Sequence, residues 1–154
     1  MASTLTAATL TVKHTESISL NGQDQGATNT FTIASIAQVY KRQITCTASQ
    51  TTTIASFAAS VHTSVQAFDV DEVKYIRVTN LDDTNAIEIA TVGSATLEQY
   101  ELAAGQSFVL GDTVTCALGE EDTSPSFGTM ESLASIQVNP GGNAVDIEIM
   151  ICSV

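Results

Sequence analysis

The sequence predicts an all-β protein: an antiparallel β-sandwich of the jelly-roll type that follows an extended N-terminal arm. Short strand patterns and turn signals alternate almost without interruption from residue 68 to residue 154. Threonine and serine number 22 and 15 of the 154 residues, and the branched Cβ of threonine favours strands over helices. Strands of five to eight residues separated by turns are typical of sandwiches and barrels.

The chain is divided by these patterns into an arm, residues 1–15, and one sandwich domain, residues 16–154. A chain of this length can bury a core large enough to fold as one domain. In the arm, Leu5, Leu10 and Val12 are isolated apolar residues among threonines and alanines. We therefore predict that these three residues contribute to assembly with partner subunits.

The next elements are short strands. Asn21-Gly22 follows Ile18 and Leu20, and this dipeptide favours a type I′ hairpin turn. A strand over residues 39–47 contains the adjacent cations Lys41 and Arg42, which must point to opposite faces. Residues 51–65 fit strand and loop better than a short helix, because threonines dominate the segment.

The pattern is clearest after residue 72. Residues 73–79 and 87–92 alternate around the turn-forming residues 80–85, which predicts a hairpin. Strands follow over 97–102, 107–110 and 113–118, and residues 119–129 form the longest predicted loop. Residues 132–139 and 144–154 flank the turn at 140–143 and predict a closing hairpin.

Alternation of apolar and polar residues also predicts which side chains share one core. These are the apolar residues at every second position of four predicted strands: Ile76, Val78, Ile87, Ile89, Phe108, Leu110, Ile147 and Ile149. The second face of the last strand becomes apolar at Met150 and Cys152, which predicts burial on both faces there.

The charge distribution argues against a nucleic-acid partner. The net charge is −12, and 15 of the 17 acidic residues lie at or after Asp69. Such a field repels phosphate backbones. No apolar run reaches the length of a membrane span and the N-terminus lacks the features of a secretory signal, so we expect synthesis in a cytoplasm and no membrane partner.

The sequence offers no catalytic constellation, so we predict a protein that is not an enzyme and has no cofactor. His14 and His62 lie in polar, threonine-rich surroundings, and no serine lies in a nucleophile motif. The glycines are dispersed through turns and form no phosphate-binding motif.

Metal binding is also not predicted. Three acidic clusters could offer oxygen ligands to calcium, at residues 69–72, 82–85 and 120–122, but none matches an EF-hand and solvated turns explain them better. Cys46, Cys116 and Cys152 show no zinc spacing and each lies in an apolar run, which predicts buried, reduced thiols.

Three segments carry a resemblance to a known class of proteins. They are YIRVTNLDD at residues 75–83, AIEIATV at residues 86–92 and ELAAGQSFVL at residues 101–110, with weaker similarity in ESISLNG at 16–22 and RQITCTASQTTTIASF at 42–57. This order of patterns resembles small virion proteins of tailed bacteriophages, in particular capsid decoration or cement proteins.

The resemblance implies a β-sandwich on the capsid surface of a virion, bound to the major capsid protein, that clamps capsid subunits and stabilises the shell. It also implies a homo-oligomer, most often a trimer. Separately, Lys41 and Arg42 are adjacent cations in a strongly negative chain, which suggests that at least one of them docks on an acidic patch of the partner; ordinary surface charges remain the simpler interpretation. The alternatives are a tail or baseplate accessory protein and a carbohydrate-binding sandwich, the latter disfavoured because tryptophan is absent.

Overall fold

The computed structural model describes residues 5–59, 61, 67–95, 97–111, 115–116 and 131–154. Its regular structure within these ranges consists of β-strands. Contacts between residues divide the chain into two units, one reaching to Gln38 together with Val154 and the other spanning Val39–Ser153. This division lies later than the predicted arm boundary between residues 15 and 16.

The first unit contains a two-stranded ribbon. Strand β1 (Ala8–Thr15) pairs antiparallel with strand β4 (Thr28–Ile36). The segment between these two strands contains a second, shorter pair, β2 (Ser19–Leu20) and β3 (Gln23–Asp24). The turn between β2 and β3 has positive φ at both central residues, 51° at Asn21 and 78° at Gly22. Two such angles define a type I′ turn, so the turn predicted from the Asn-Gly dipeptide is confirmed.

The second unit contains two principal sheets. The four-stranded sheet has the order β11-β8-β15-β5, and the five-stranded sheet has the order β10-β9-β14-β6-β7. The strands of both sheets are β5 (Gln38–Cys46), β6 (Thr52–Ala58), β7 (Phe68–Asp69), β8 (Val73–Asn80), β9 (Ile87–Val92), β10 (Leu97–Leu102), β11 (Ser107–Gly111), β14 (Ser135–Asn139) and β15 (Val145–Ser153). Strands β12 (Thr115–Cys116) and β13 (Glu131–Ser132) form a separate short pair.

The eight longer strands of this unit are nested. The first lies beside the eighth (β5 and β15), the second beside the seventh (β6 and β14), the third beside the sixth (β8 and β11) and the fourth beside the fifth (β9 and β10). This is the pairing of one long hairpin whose successive strand pairs alternate between two sheets. The predicted all-β sandwich is confirmed; the nested order agrees with the finer jelly-roll assignment, which stays a prediction.

One hydrophobic core is built from both sheets, because alternate residues of each strand point to the same face. The predicted core is confirmed: Ile76, Val78, Ile87, Ile89, Ile147 and Ile149 are at most 2% exposed, and Phe108 and Leu110 pack against them partly buried. Burial of each large aliphatic side chain contributes about 1.5–3 kcal/mol.

Both hairpins predicted around the turns at 80–85 and 140–143 are wrong. Strands β8 and β9 belong to different sheets, and so do β14 and β15, so each connection crosses from one sheet to the other. Turn-forming residues permit a chain reversal but do not determine whether the next strand pairs with the previous one. The hairpin that does form in this region joins β9 to β10.

A buried asparagine fixes the corner where β8 ends. The side chain of Asn80 is fully buried, and its Nδ2 donates hydrogen bonds to the backbone oxygens of Asn85, Leu102 and Ala103. Its Oδ1 accepts a hydrogen bond from the amide of Asp82. The Asn80 side chain therefore joins the connection after β8 to the turn after β10.

Candidate functional site

The arm residues predicted to contact partners occupy different environments. Leu5 is 65% exposed, Leu10 is partly buried and Val12 is buried. Leu10 and Val12 stand opposite Ile33 and Phe31 in the ladder between β1 and β4. Leu10 and Val12 therefore contribute to the packed face of the ribbon, and Leu5 is the member of this group that is available to a partner.

Two apolar residues at the end of the ribbon are more prominent. Ile18 and Leu20 are 57% and 61% exposed, next to the tight turn at Asn21 and Gly22. Backbone hydrogen bonds hold this end in place: the amide of Gln25 donates to the oxygen of Ile18, and β2 pairs with β3. We call Ile18 and Leu20 the ribbon tip. Sequence analysis did not assign it to an interface, although two aliphatic residues before an Asn-Gly turn were a visible signal.

Lys41 and Arg42 lie on opposite faces of β5, as alternation requires, and both are exposed. Strand β5 is an edge strand of its sheet. The Nζ atom of Lys41 lies 3.1 Å from Oε2 of Glu148 on β15. Arg42 points to the face that also carries Tyr40, and it lines a cleft of about 400 Å³ with Tyr40 and Phe68. Docking of either cation on a partner stays a prediction.

The ion pair of Lys41 is part of a larger polar network on the outer face of the four-stranded sheet. Glu148, whose side chain is 12% exposed, also accepts a hydrogen bond of 2.6 Å from Nη2 of Arg77. Nη1 of Arg77 donates to Oγ1 of Thr79, which shares a hydrogen bond with Ser107. The network thus crosses all four strands, β5, β15, β8 and β11.

The pKa of Glu148 reflects two opposing effects. Burial favours the neutral carboxyl group and acts to raise the pKa. Hydrogen bonds from Arg77 and Lys41, together with their positive charges, outweigh burial, and the net pKa lies below its ordinary value. Glu148 is therefore ionised at neutral pH, and it stabilises the sheet through its two cations.

The predicted acidic clusters do not assemble into a metal centre within the part of the chain that the structure describes. In the cluster at residues 82–85, Oδ1 of Asp82 accepts hydrogen bonds from the amides of Asn85 and Thr84 and from the side chain of Asn85. These bonds lower the pKa of Asp82 and shape the turn. The cluster at residues 120–122 lies outside the described residues.

His14, Cys46 and Cys152 lie among the described residues, and each packs inside the protein or against a neighbouring ring. His14 stacks on Phe31 with ring centroids 6.2 Å apart. Cys46 and Cys152 are free, fully buried thiols, as predicted, and burial raises the pKa of both. His62 and the side chain of Cys116 lie outside the described residues.

Comparison with known proteins does not assign this chain to a protein family. No protein-family model matches the chain, and no curated protein matches it. One solved structure, described as "Bacillus endospore appendages form a novel family of disulfide-linked pili", is similar over 75% of this chain and 88% of its own, with 10% identity and a TM-score of 0.41. This likeness is too low to support an argument about function. Among the described residues, no helix is long and apolar enough to cross a membrane.

Proposed function

We propose that this chain is a non-enzymatic structural protein of a virion, a capsid decoration or cement protein that binds the major capsid protein and clamps neighbouring capsid subunits. The support comes from the resemblance of three segments to small bacteriophage virion proteins and from the two-part organisation of the chain. A well-packed sandwich unit provides rigidity, and a ribbon with exposed apolar residues provides a means of attachment.

The ribbon tip is the observation that carries this proposal. Ile18 and Leu20 keep more than half of their surface in water although a type I′ turn and backbone hydrogen bonds fix their position. Burying the exposed part of each side chain in an apolar recess of a partner would contribute about 1–2 kcal/mol. Because the tip is already ordered, little conformational entropy is lost when it binds.

The acidity of the sandwich fits the same function. Fifteen acidic residues follow residue 68. Particles that carry many copies would therefore have negatively charged surfaces and repel each other. Many copies on one shell also act together, so a modest affinity per copy suffices to stabilise the assembly. No cofactor, nucleic acid or membrane is part of the proposal.

Location on the particle is the decisive test. Gradient-purified virions that encode this chain should contain it in many copies by quantitative mass spectrometry, and a cryo-EM map should place the sandwich on the head shell, over junctions between capsid subunits. Density confined to the tail or baseplate would replace this proposal with the tail accessory alternative. Absence of the chain from purified virions would overturn both.

The contribution of the ribbon tip can be measured on the same particles. Particles that lack the protein should bind the double variant Ile18→Ser, Leu20→Ser roughly thirtyfold more weakly or worse than the unmodified protein. Leu97→Ser is the matched control, because Leu97 is a 48% exposed leucine on the edge strand β10 of the sandwich. Equal binding by all three proteins would show that the tip does not make the contact.

A further inference from the structure

Strand β4 has an edge that is not protected against pairing. The strand is nine residues long, TNTFTIASI, and it contains no charged residue and no proline. A register shift with a positive φ of 64° at Ser35 interrupts its C-terminal end, so the regular edge runs over residues 28–33. It pairs with β1 on one side, and within the described residues no strand pairs with its other side. Such an edge presents a row of free N–H and C=O groups, and soluble proteins normally blunt it with charges, prolines or short length.

The other edge strands in the part of the chain that the structure describes follow that rule. The free edge of the ribbon on the β1 side carries Lys13, and edge strand β5 carries Lys41 and Arg42. Edge strand β10 carries Glu98 and Glu101, and edge strand β11 has only five residues. Among the described edge strands, β4 is therefore the long one without a charge.

Charge also indicates what can cover this edge. The chain carries a net charge of −12, and 15 of its 17 acidic residues lie at or beyond Asp69. The segment of residues 8–36 that forms the ribbon contains only Lys13, Glu16 and Asp24 as formally charged residues. Two copies of this chain repel each other through their sandwich units, and they can approach each other through their ribbons at little electrostatic cost.

From these observations we infer that the free edge of β4 pairs antiparallel with β4 of a second copy of this chain. The result is a four-stranded sheet of two ribbons related by a two-fold axis, in which the same surface of both copies makes the contact. Pairing satisfies the exposed backbone groups of both edges. It also converts two-stranded ribbons, which are marginally stable alone, into a sheet with enough strands to be stable.

The side chains of β4 suit such a pair. Phe31 and Ile33 lie on one face and are partly buried, whereas Thr30 and Thr32 lie on the other face and are exposed. On one face, Phe31 and Ile33 of one copy would contact the same residues of the other copy. On the opposite face, the threonines of the two copies would lie next to each other. Such cross-strand pairs stabilise sheets. The contact involves no particle, so it can be tested apart from the proposed shell binding.

The test is the association of the purified full chain in solution, measured by sedimentation equilibrium without particles. We expect a reversible dimer, and we expect Thr32→Lys to raise its dissociation constant roughly tenfold or more, because it places one added positive charge from each copy on the paired edge. Thr11→Lys is the matched control. Thr11 stands directly opposite Thr32 on β1, so it adds the same charge to the same ribbon one strand further from the interface.

A monomeric wild-type chain would overturn the inference, and so would equal dissociation constants for the two lysine variants. A second measurement covers the case in which Thr32→Lys perturbs the ribbon itself. Single cysteines at Thr28, Thr30 and Thr32 should form disulfide-linked dimers, with one position near the two-fold axis reacting fastest. Cysteines at Thr9, Thr11 and Lys13 on β1 should not cross-link, and cross-linking of both strands to the same extent would contradict pairing through β4.

Discussion

The Nδ2 atom of Asn80 donates a hydrogen bond to the backbone oxygen of Leu102 at a distance of 3.2 Å. These two residues end β8 and β10, strands that belong to different sheets. The amide of Asn80 also donates to the oxygen of Gln106 in the turn that follows β10. The segments at 75–83 and 101–110, on which the resemblance to virion proteins rests, thus meet at one buried corner, so these two segments maintain the scaffold.

Replacing Asn80 with alanine should strongly destabilise the sandwich. The substitution leaves buried carbonyl groups without the donor that Nδ2 provides, and we expect the free energy of unfolding to fall by about 3 kcal/mol in urea denaturation. Asn143→Ala is a suitable control, because Asn143 makes one exposed hydrogen bond to Asn85. A loss of similar size in both variants would mean that the buried position of Asn80 is not what matters.

Thr91→Val should stabilise the protein. The hydroxyl of Thr91 is buried, and it has no hydrogen-bond partner among the described residues. Valine has nearly the same shape without the polar group, so we expect a gain of about 1 kcal/mol and a higher Tm. Thr79→Val should have the opposite effect, because the hydroxyl of Thr79 bonds to Arg77 and Ser107. A destabilised Thr91→Val protein would indicate that the hydroxyl has a partner.

The two cations on Glu148 should differ in their contribution to stability. Arg77 has a side chain that is 26% exposed and also bonds to Thr79, whereas the side chain of Lys41 is 58% exposed. We expect Arg77→Met to cost about 1–2 kcal/mol and Lys41→Met less than about 0.5 kcal/mol, because solvent screens exposed pairs. Chemical denaturation of both variants measures the difference. Equal costs would refute this ranking.

Stability should depend on the ionisation of Glu148. Its pKa is lower in the folded chain than its ordinary value, so the unfolded chain takes up a proton first as the pH falls. The stabilisation is therefore fully present above the ordinary pKa of a glutamate and is lost as the pH falls through the lower folded value. The difference in unfolding free energy between wild type and Glu148→Gln should shrink over that range. A difference that stays constant from neutral pH to pH values below the folded pKa would contradict this role.

The core of the sandwich could be predicted from the sequence because period-two alternation reports directly which face of a strand is buried. Ile147 and Ile149 alternate with Asp146 and Glu148, and the structure buries both isoleucines. The Asn-Gly turn was predictable for a similar reason. Its backbone angles are ones that few other residue pairs adopt without strain.

Features that depend on distant residues could not be predicted in this way. Turn residues at 140–143 mark a reversal, but only the competition among all strands decides that β14 and β15 join different sheets. Likewise, the ion pair of Lys41 is not visible in the local sequence, because its partner Glu148 lies more than 100 residues away. Exposure of the ribbon tip is a tertiary property as well, since Ile18 and Leu20 have the composition of core residues.

The position of β15 between β8 and β5 has a consequence for how the chain reaches its native state. Strand β5 cannot pair with β15 until about 100 further residues have been synthesised, and β15 is an interior strand of the sheet. The ribbon, in contrast, needs only contacts between residues that leave the ribosome close together in time. Non-local pairing of this kind makes folding slow, so we expect the contacts of the ribbon to become available during translation before the strands of the sandwich can all pair.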